Sequence, residues 1–231
     1  MSRTQVVILA AGMGTRLGRP LPKPLTVLRD GRSILHQQVD NLQRVLGASV
    51  PITVVVGFKA TIVMEAAPDL LFAYNQVYDS TNTSKSLLKA LRTSHPGGVL
   101  WLNGDVVFDP RVLEIVEPSL AAEESFVCVN TEAVAEEEVK YTVDADGFVA
   151  QLSKKVVGGL GEAVGINHVA AADKPALLAE LEACADQDYF ERGIESAIAS
   201  RGVRFRPLDI SVFPAVEVDS EEDLARANHL L

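Results

Sequence analysis

The sequence predicts an α/β fold, a mostly parallel mixed sheet with helices on both faces. Three observations predict it. Short apolar, β-branched runs alternate with helix-like stretches, the order that builds a parallel sheet through crossover helices. The first run, Thr4-Gln5-Val6-Val7-Ile8-Leu9-Ala10, is apolar almost throughout rather than at every second position, as a strand covered on both faces must be. A Gly- and Pro-rich loop from Gly12 to Pro24 follows it, at the strand's carboxyl end, where open parallel sheets bind their ligands.

The remaining elements follow in order. Ser33 is placed to cap a helix running to about Leu46, with Ile34, Val39, Leu42, Val45 and Leu46 on one face. Ile52 to Val56 and Leu70 to Tyr74 read as a second and a third buried strand, and Ser84 to Arg92 as a helix. Val99-Leu100-Trp101-Leu102 is a fourth strand, closed by Asn103-Gly104-Asp105. The pattern changes after about residue 123. Ser125 to Asn130 is strand-like, and Glu136-Glu137-Glu138 reads as a solvated acidic turn. Val139 to Val143 and Phe148 to Leu152 flank Asp144-Ala145-Asp146-Gly147, a hairpin signal. Ala163 to Val169 is a further strand, followed by helices over Lys174 to Ala185 and Tyr189 to Ser200. Val216 to Val218 is a last strand, and Ser220 with Asp223 opens a capped final helix.

Composition limits the function. The 231 residues carry a formal net charge of -10, which argues against nucleic acid and anionic membrane as partners. A phosphate site must then be a local concentration of Lys, Arg and backbone N–H groups. Two cysteines cannot form a disulfide framework, and the four histidines show no zinc-ligand spacing. No apolar run approaches the roughly 20 residues of a membrane span. The apolar stretch after Met1-Ser2-Arg3 reads as a buried strand rather than a signal peptide, so a cytoplasmic location is expected. A homo-oligomer is compatible with the sequence.

The first loop is the most informative segment. Its small residues leave backbone N–H groups open to phosphate oxygens, and Arg16 and Lys23 add two cations. Gly12, Gly14 and Gly18 give G-x-G-x-x-x-G, one residue longer than the dinucleotide fingerprint. Gly18 is followed by Arg19-Pro20 rather than the Lys-Ser/Thr of a P-loop. The run Leu9-Ala10-Ala11-Gly12-x-Gly14-Thr15-Arg16, followed by Pro22-Lys23-Pro24-Leu25, instead resembles the opening motif of the sugar-phosphate and alcohol-phosphate nucleotidyltransferases. That resemblance implies a Rossmann-like nucleotidyltransferase fold and transfer of a nucleoside monophosphate from an NTP to a small phosphorylated acceptor, with pyrophosphate released. It also implies that Leu9 belongs to the nucleotide site, that Ala10, Ala11 and Gly12 lie along the base and ribose, that Gly14, Thr15 and Arg16 hold the triphosphate, and that Lys23 offsets charge at the reacting phosphates.

Such a reaction needs charge neutralisation, and Mg²⁺ commonly takes one or two carboxylates with phosphate oxygens and water. Asp105 and Asp219 each follow a strand and match the two metal-binding aspartates of the family the loop resembles. A wider similarity, to the phosphocholine cytidylyltransferase-like branch, rests on Asn75, Asn82 and Ser86, on Val143 to Gly147 with Leu152-Ser153-Lys154, on Gly161 to Ile166, on Tyr189-Phe190-Glu191 and on Val216 to Asp219. It implies CTP as donor, with Asn75, Asn82 and Ser86 at the nucleotide and Lys85, Lys154, Glu162 and Glu191 at the acceptor. Spacing alone does not exclude UTP or dTTP. Arg16, Lys23 and Lys154 carry the catalytic roles in this reading. The loop and the segment from Asp219 to Ala227 also resemble the inositol-1-phosphate cytidylyltransferases. With Lys85 attracting anions and aromatic residues at 6%, the acceptor stays open among phosphocholine, inositol phosphate, a sugar 1-phosphate and a phosphonate. One domain over 1–231 is expected, its NTP-binding half at 1–123 and its acceptor-binding half, with the second metal ligand, at 124–231. A non-catalytic nucleotide sensor is the alternative from another class.

Overall fold

The computed structural model describes residues 4–14, 17–132, 134 and 137–230. Its centre is β1 (Gln5–Ala10), buried along its whole length. Alternate side chains of β1 enter two separate cores, as the two-residue period of a strand requires. Val6, Ile8 and Ala10 pack into one, and Val7 and Leu9 into the other. The first core is closed by α1 (Ile34–Leu46), α2 (Ala60–Ala66) and α4 (Arg111–Ala121); the second by α3 (Thr83–Thr93), α5 (Lys174–Ala183) and α6 (Phe190–Arg201). Helices thus cover both faces, as the sequence predicts.

β1 pairs in parallel with β2 (Ile52–Val56) and with β4 (Val99–Asn103), and β2 in parallel with β3 (Leu71–Tyr74). β9 (Glu162–Val169) runs antiparallel between β4 and β6 (Phe126–Asn130), and β10 (Arg206–Asp209) lies parallel to β6 at the edge. The strand order is β10-β6-β9-β4-β1-β2-β3, with a hairpin of β7 (Lys140–Val143) and β8 (Val149–Ser153) attached to β9. The sheet is therefore mixed and mostly parallel on the side of β1. Among the described residues no helix is long and apolar enough to cross a membrane.

Three local features differ from the sequence-based expectation. β3 is an edge strand with Leu71 and Tyr74 each 57% exposed, not a buried one. α2 and α4 stand where no helix is predicted. α2 has only 7 residues, and α4 contains Pro118 near its end, so neither offers a long uninterrupted pattern. β5 (Val106–Phe108) and β11 (Ala215–Glu217) form a separate antiparallel ribbon, with Val106 opposite Glu217. The capped final helix, α7 (Glu221–His229), forms as expected: Ser220 and Asp223 make a reciprocal capping box.

The turn from β4 into β5 is held by a polar face of α1. Gln38 is fully buried, and its Nε2 donates to the carbonyls of Asn103 and Val106, each at 2.8 Å. Gln37 and Asn41 both donate to the carbonyl of Phe108, at 2.7 and 2.8 Å. Replacing Gln38 with Leu strips two buried carbonyls of their donor, at about 1–3 kcal/mol for an orphaned buried group. Urea unfolding of Gln38→Leu should therefore show a loss of about 2 kcal/mol; a variant as stable as the wild type would refute this role.

Candidate active site

The site gathers where three chain segments meet. The β1–β4 register sets Leu9 opposite Asn103, so the loop after β1 and the turn after β4 emerge side by side. Gly104 N–H donates to the Leu9 carbonyl at 2.9 Å. A Cβ on Gly104 would come within 2.6 Å of that oxygen, so the approach needs glycine. The ribbon supplies the third segment: β11 pairs with β5, and Val218 N–H donates to the Asp105 carbonyl at 3.0 Å. Asp105 and Asp219, 114 positions apart in sequence, thereby face one another.

Lys23 sits between them. Its backbone forms a short 3₁₀ turn, Lys23–Leu25, flanked and stiffened by Pro22 and Pro24. Its ammonium donates to Asp105 Oδ2 at 2.6 Å and, closer still, to Asp219 Oδ1. Burial alone would lower the Lys23 pKa, but the two carboxylates outweigh it and hold the group above its ordinary value. Lys23 is cationic throughout the neutral range.

These residues line a cleft of about 890 Å³ with Leu9, Ala10, Gly12 and Gly14. Asn82 lines it too, and caps α3 by accepting from Thr83 N–H at 2.8 Å. Beside it a recess of about 70 Å³ is walled by Ala11, Asn82 and Ser86. Asn75 is fully buried and stands behind the walls: its Nδ2 donates to Thr81 Oγ1 at 3.2 Å and Ser86 Oγ at 3.1 Å. It shapes the loop before α3 instead of lining the cleft. Thr15 and Arg16 lie outside the described residues.

At the other end of the cleft, Lys154 is exposed, with its ammonium 5.5 Å from the centre of the Tyr189 ring. Glu191 lies near the start of α6, only 8% exposed, and its Oε2 is buried without a hydrogen-bond partner. Burial pushes its carboxyl up to about 7, against the opposing pull of its own backbone N–H and the Lys154 charge. Glu217 accepts from Asn103 Nδ2 at 3.0 Å, and burial, reinforced by the Asp105 charge, pushes its pKa up as well.

Two expected acceptor residues are placed elsewhere. Lys85 does not line the cleft. Its ammonium donates to the carbonyls of Leu181, Glu182 and Cys184, at 3.2, 3.1 and 2.5 Å, neutralising the carboxyl end of α5. Glu162 also stays out of the lining. It opens β9 opposite Asn130 and Lys140, and its neighbour Ala163 takes the cleft-facing position. Glu217 is the residue that sequence reading missed. Its signal was present: Glu217 and Asp219 stand two apart, with Val216 and Val218 packed into a core between α1 and α7, so the acids share one face.

Among the described residues no cluster of three or more His, Cys, Asp or Glu is arranged to hold a metal. The Asp105–Asp219 pair nonetheless fits Mg²⁺, which needs only one or two protein carboxylates when phosphate and water complete its shell. Asp105 Oδ1 is buried with no hydrogen-bond partner, and a cation, the Lys23 ammonium, already occupies the space between the two acids.

A glycine-rich loop at the carboxyl ends of parallel strands, facing two carboxylates around a lysine, is the arrangement of a phosphate-binding α/β fold. The chain belongs to the MobA-like NTP transferase domain family, which it matches over residues 6–203. The CMP-5'-(3-aminopropyl)phosphonate synthase of Streptomyces rubellomurinus is 30% identical to it, over 97% of this chain and 38% of that protein. The bifunctional protein GlmU of Methylobacillus flagellatus is 31% identical over 56% of this chain and 27% of that one. The chain thus spans well under half the length of these relatives. The inositol-1-phosphate CTP transferase of T. maritima has the same fold, at a TM-score of 0.80 and 14% identity, over 99% of this chain and 94% of that one. The CTP:phosphocholine cytidylyltransferase of Streptococcus pneumoniae superposes at 0.73 with 18% identity, over 99% of both chains.

The Glu191 carboxyl makes stability depend on pH. Its pKa is raised to about 7 from an ordinary 4.5, so the folded state binds the proton more tightly than the unfolded chain. Its stabilising contribution is complete below the unfolded pKa, falls as pH rises, and levels off above about 7. Glu191→Gln removes this titration. The variant's unfolding free energy should decline less steeply than the wild type's between about pH 5 and 7, as read by urea denaturation at stepped pH. Equal slopes would count against the buried carboxyl.

Proposed function

We propose that the chain is a divalent-metal-dependent cytidylyltransferase that transfers CMP from CTP to the phosphonate or phosphate end of a small acceptor bearing an amine. The observation that carries the reading is the junction of Lys23, Asp105 and Asp219 beside the loop from Leu9 to Gly14. An acceptor oxygen attacks the α-phosphorus in line; the new P–O bond forms as the bond to pyrophosphate breaks. No general base is required, since a phosphonate or phosphate anion is already nucleophilic at neutral pH. Gly14 binds the triphosphate, a role the resemblance also gives Thr15 and Arg16, while Ala10, Ala11 and Gly12 lie along the nucleoside. Lys23 balances charge on the reacting phosphates, and Lys154 draws in the acceptor's anionic end. A magnesium ion on Asp105 and Asp219 would supply charge neutralisation between donor and acceptor oxygens.

CTP as donor is supported by the CMP or CTP chemistry in the names of three of the similar proteins. An amine on the acceptor is supported by the acids that line the cleft, Glu137, Glu138, Glu191 and Glu217. It is also supported by the aminopropylphosphonate in the Streptomyces relative's name. Asn75, Asn82 and Ser86 then shape the nucleoside end. Incubating the protein with Mg²⁺ and each NTP against 3-aminopropylphosphonate, 2-aminoethylphosphonate, phosphocholine, inositol 1-phosphate and glucose 1-phosphate, with pyrophosphate and ³¹P NMR as readouts, tests the whole reading. CTP with an aminoalkylphosphonate should turn over fastest. Asp105→Asn should lower kcat by about 10² or more without altering the circular dichroism. Glu191→Gln should raise KM for the amino acceptor about tenfold and leave that for CTP unchanged. Preference for inositol or glucose phosphate would reject the amine; turnover unaffected by Asp105→Asn would reject the site.

A further inference from the structure

The side chain that joins the two proposed metal ligands is itself a cation, and its stem and head are held very differently. The Lys23 stem is packed against the first loop. Gly14 has φ +57°, and a Cβ there would stand 2.8 Å from Lys23 Cβ, so loop and stem fit only through that glycine. The flanking prolines fix the backbone from which the stem departs. The ammonium at its far end rests on Asp105 and Asp219, with 11% of the side chain exposed. Four carbon–carbon bonds separate this head from its anchored Cα, so it can swing while the stem stays put.

We infer that Lys23 is the resident counter-ion of an unliganded metal site, and that a divalent ion enters only as the nucleotide triphosphate draws this ammonium off the carboxylates. The inference rests on the reading of Asp105 and Asp219 as metal ligands. Two acids and one ammonium leave a single net negative charge, a poor trap for a hydrated dication. A dication entering with the ammonium in place meets a like charge at contact distance in a partly desolvated site. A triphosphate on the glycine loop offers the ammonium a more highly charged partner within reach of the same stem. The exchange leaves both acids to the metal and the lysine on the phosphates. It keeps the acids from repelling one another before substrate arrives and couples metal entry to nucleotide entry, by differential affinity for two placements of one side chain.

The probe is Mn²⁺, followed by electron paramagnetic resonance of the free ion, without nucleotide or acceptor. Lys23→Met should bind Mn²⁺ at least about tenfold more tightly than the wild type, because removing the ammonium uncovers both acids. Lys23→Gln should behave alike, and circular dichroism checks that each variant is folded. The gain should vanish in Lys23→Met combined with Asp105→Asn. Equal Mn²⁺ affinity in wild type and folded Lys23 variants would overturn the inference, as would a gain that survives Asp105→Asn. A second arm isolates the underlying reading: Asp105→Asn in the Lys23 background should weaken binding of the Mn²⁺–CTP complex. Were it to bind Mn²⁺–CTP undiminished, the ligand assignment itself would fall. Should it weaken that complex while Lys23→Met gains nothing, the assignment stands and the counter-ion exchange does not.

Discussion

Two carboxylates 114 positions apart in the chain lie close together, and this is stable only because a positive charge stands between them. Like charges in a partly buried site repel by several kcal/mol unless something neutralises them. The fold around Asp105 and Asp219 can be read as the apparatus that enforces their proximity. The β1–β4 register brings one acid beside the first loop, the β5–β11 ribbon brings the other, and α1 donates side-chain amides that stop the intervening turn from relaxing. Lys23 is the electrostatic half of the same arrangement, and its anchoring prolines are the steric half.

The rigidity behind this geometry comes from the sheet. β1 contributes alternate side chains to two independent apolar cores, so it cannot slip by one residue without exchanging every contact on both faces. The loop after it therefore begins from a fixed point. The aromatic contact of Trp101 on β4 with Phe190 at the start of α6, centroids 5.6 Å apart, does a related job at the other end of the cleft. It ties the helix carrying Glu191 to the strand that precedes Asp105. The Asp105 and Glu191 ends of the cleft thus share a strand as common reference.

How much of this could be read in the sequence varied with the range of the interactions. The strands and most helices were legible because their signals are local: period, capping residues, glycine turns. The ring of elements around β1 and the cleft-lining places of Leu9, Gly12, Gly14, Lys23, Asp105 and Asp219 were legible for the same reason, since each sits at the end of a recognisable strand or in a distinctive loop. What escaped was decided by long-range contacts. Nothing local around Lys85 says that the carboxyl end of α5, almost 100 positions later, will capture its ammonium. Glu162 and Ala163 differ only in strand parity, and a register shift between β6 and β9 in that neighbourhood makes parity hard to count from sequence. Glu217 is legible only through a strand's alternation, which puts it on one face with Asp219 two positions on.

The diversion of Lys85 has a chemical consequence. With its charge spent on helix carbonyls, the cations among the described residues lining the cleft are Lys23 and Lys154, and the lining also carries Glu137, Glu138, Glu191 and Glu217. A purely anionic acceptor would meet acids there with little to offset them, whereas a small zwitterion meets Lys154 with one end and acids with the other. On the proposed reading, amides and Lys23 serve the triphosphate, Lys154 the acceptor's anion, and the buried carboxyls its cationic end. Burial sharpens the last of these, because a carboxyl held near its protonated form gains most from a partner that arrives as a cation and stabilises its charge. On that reading, specificity among acceptors is a matter of which ligand restores an ionisation that folding has made costly.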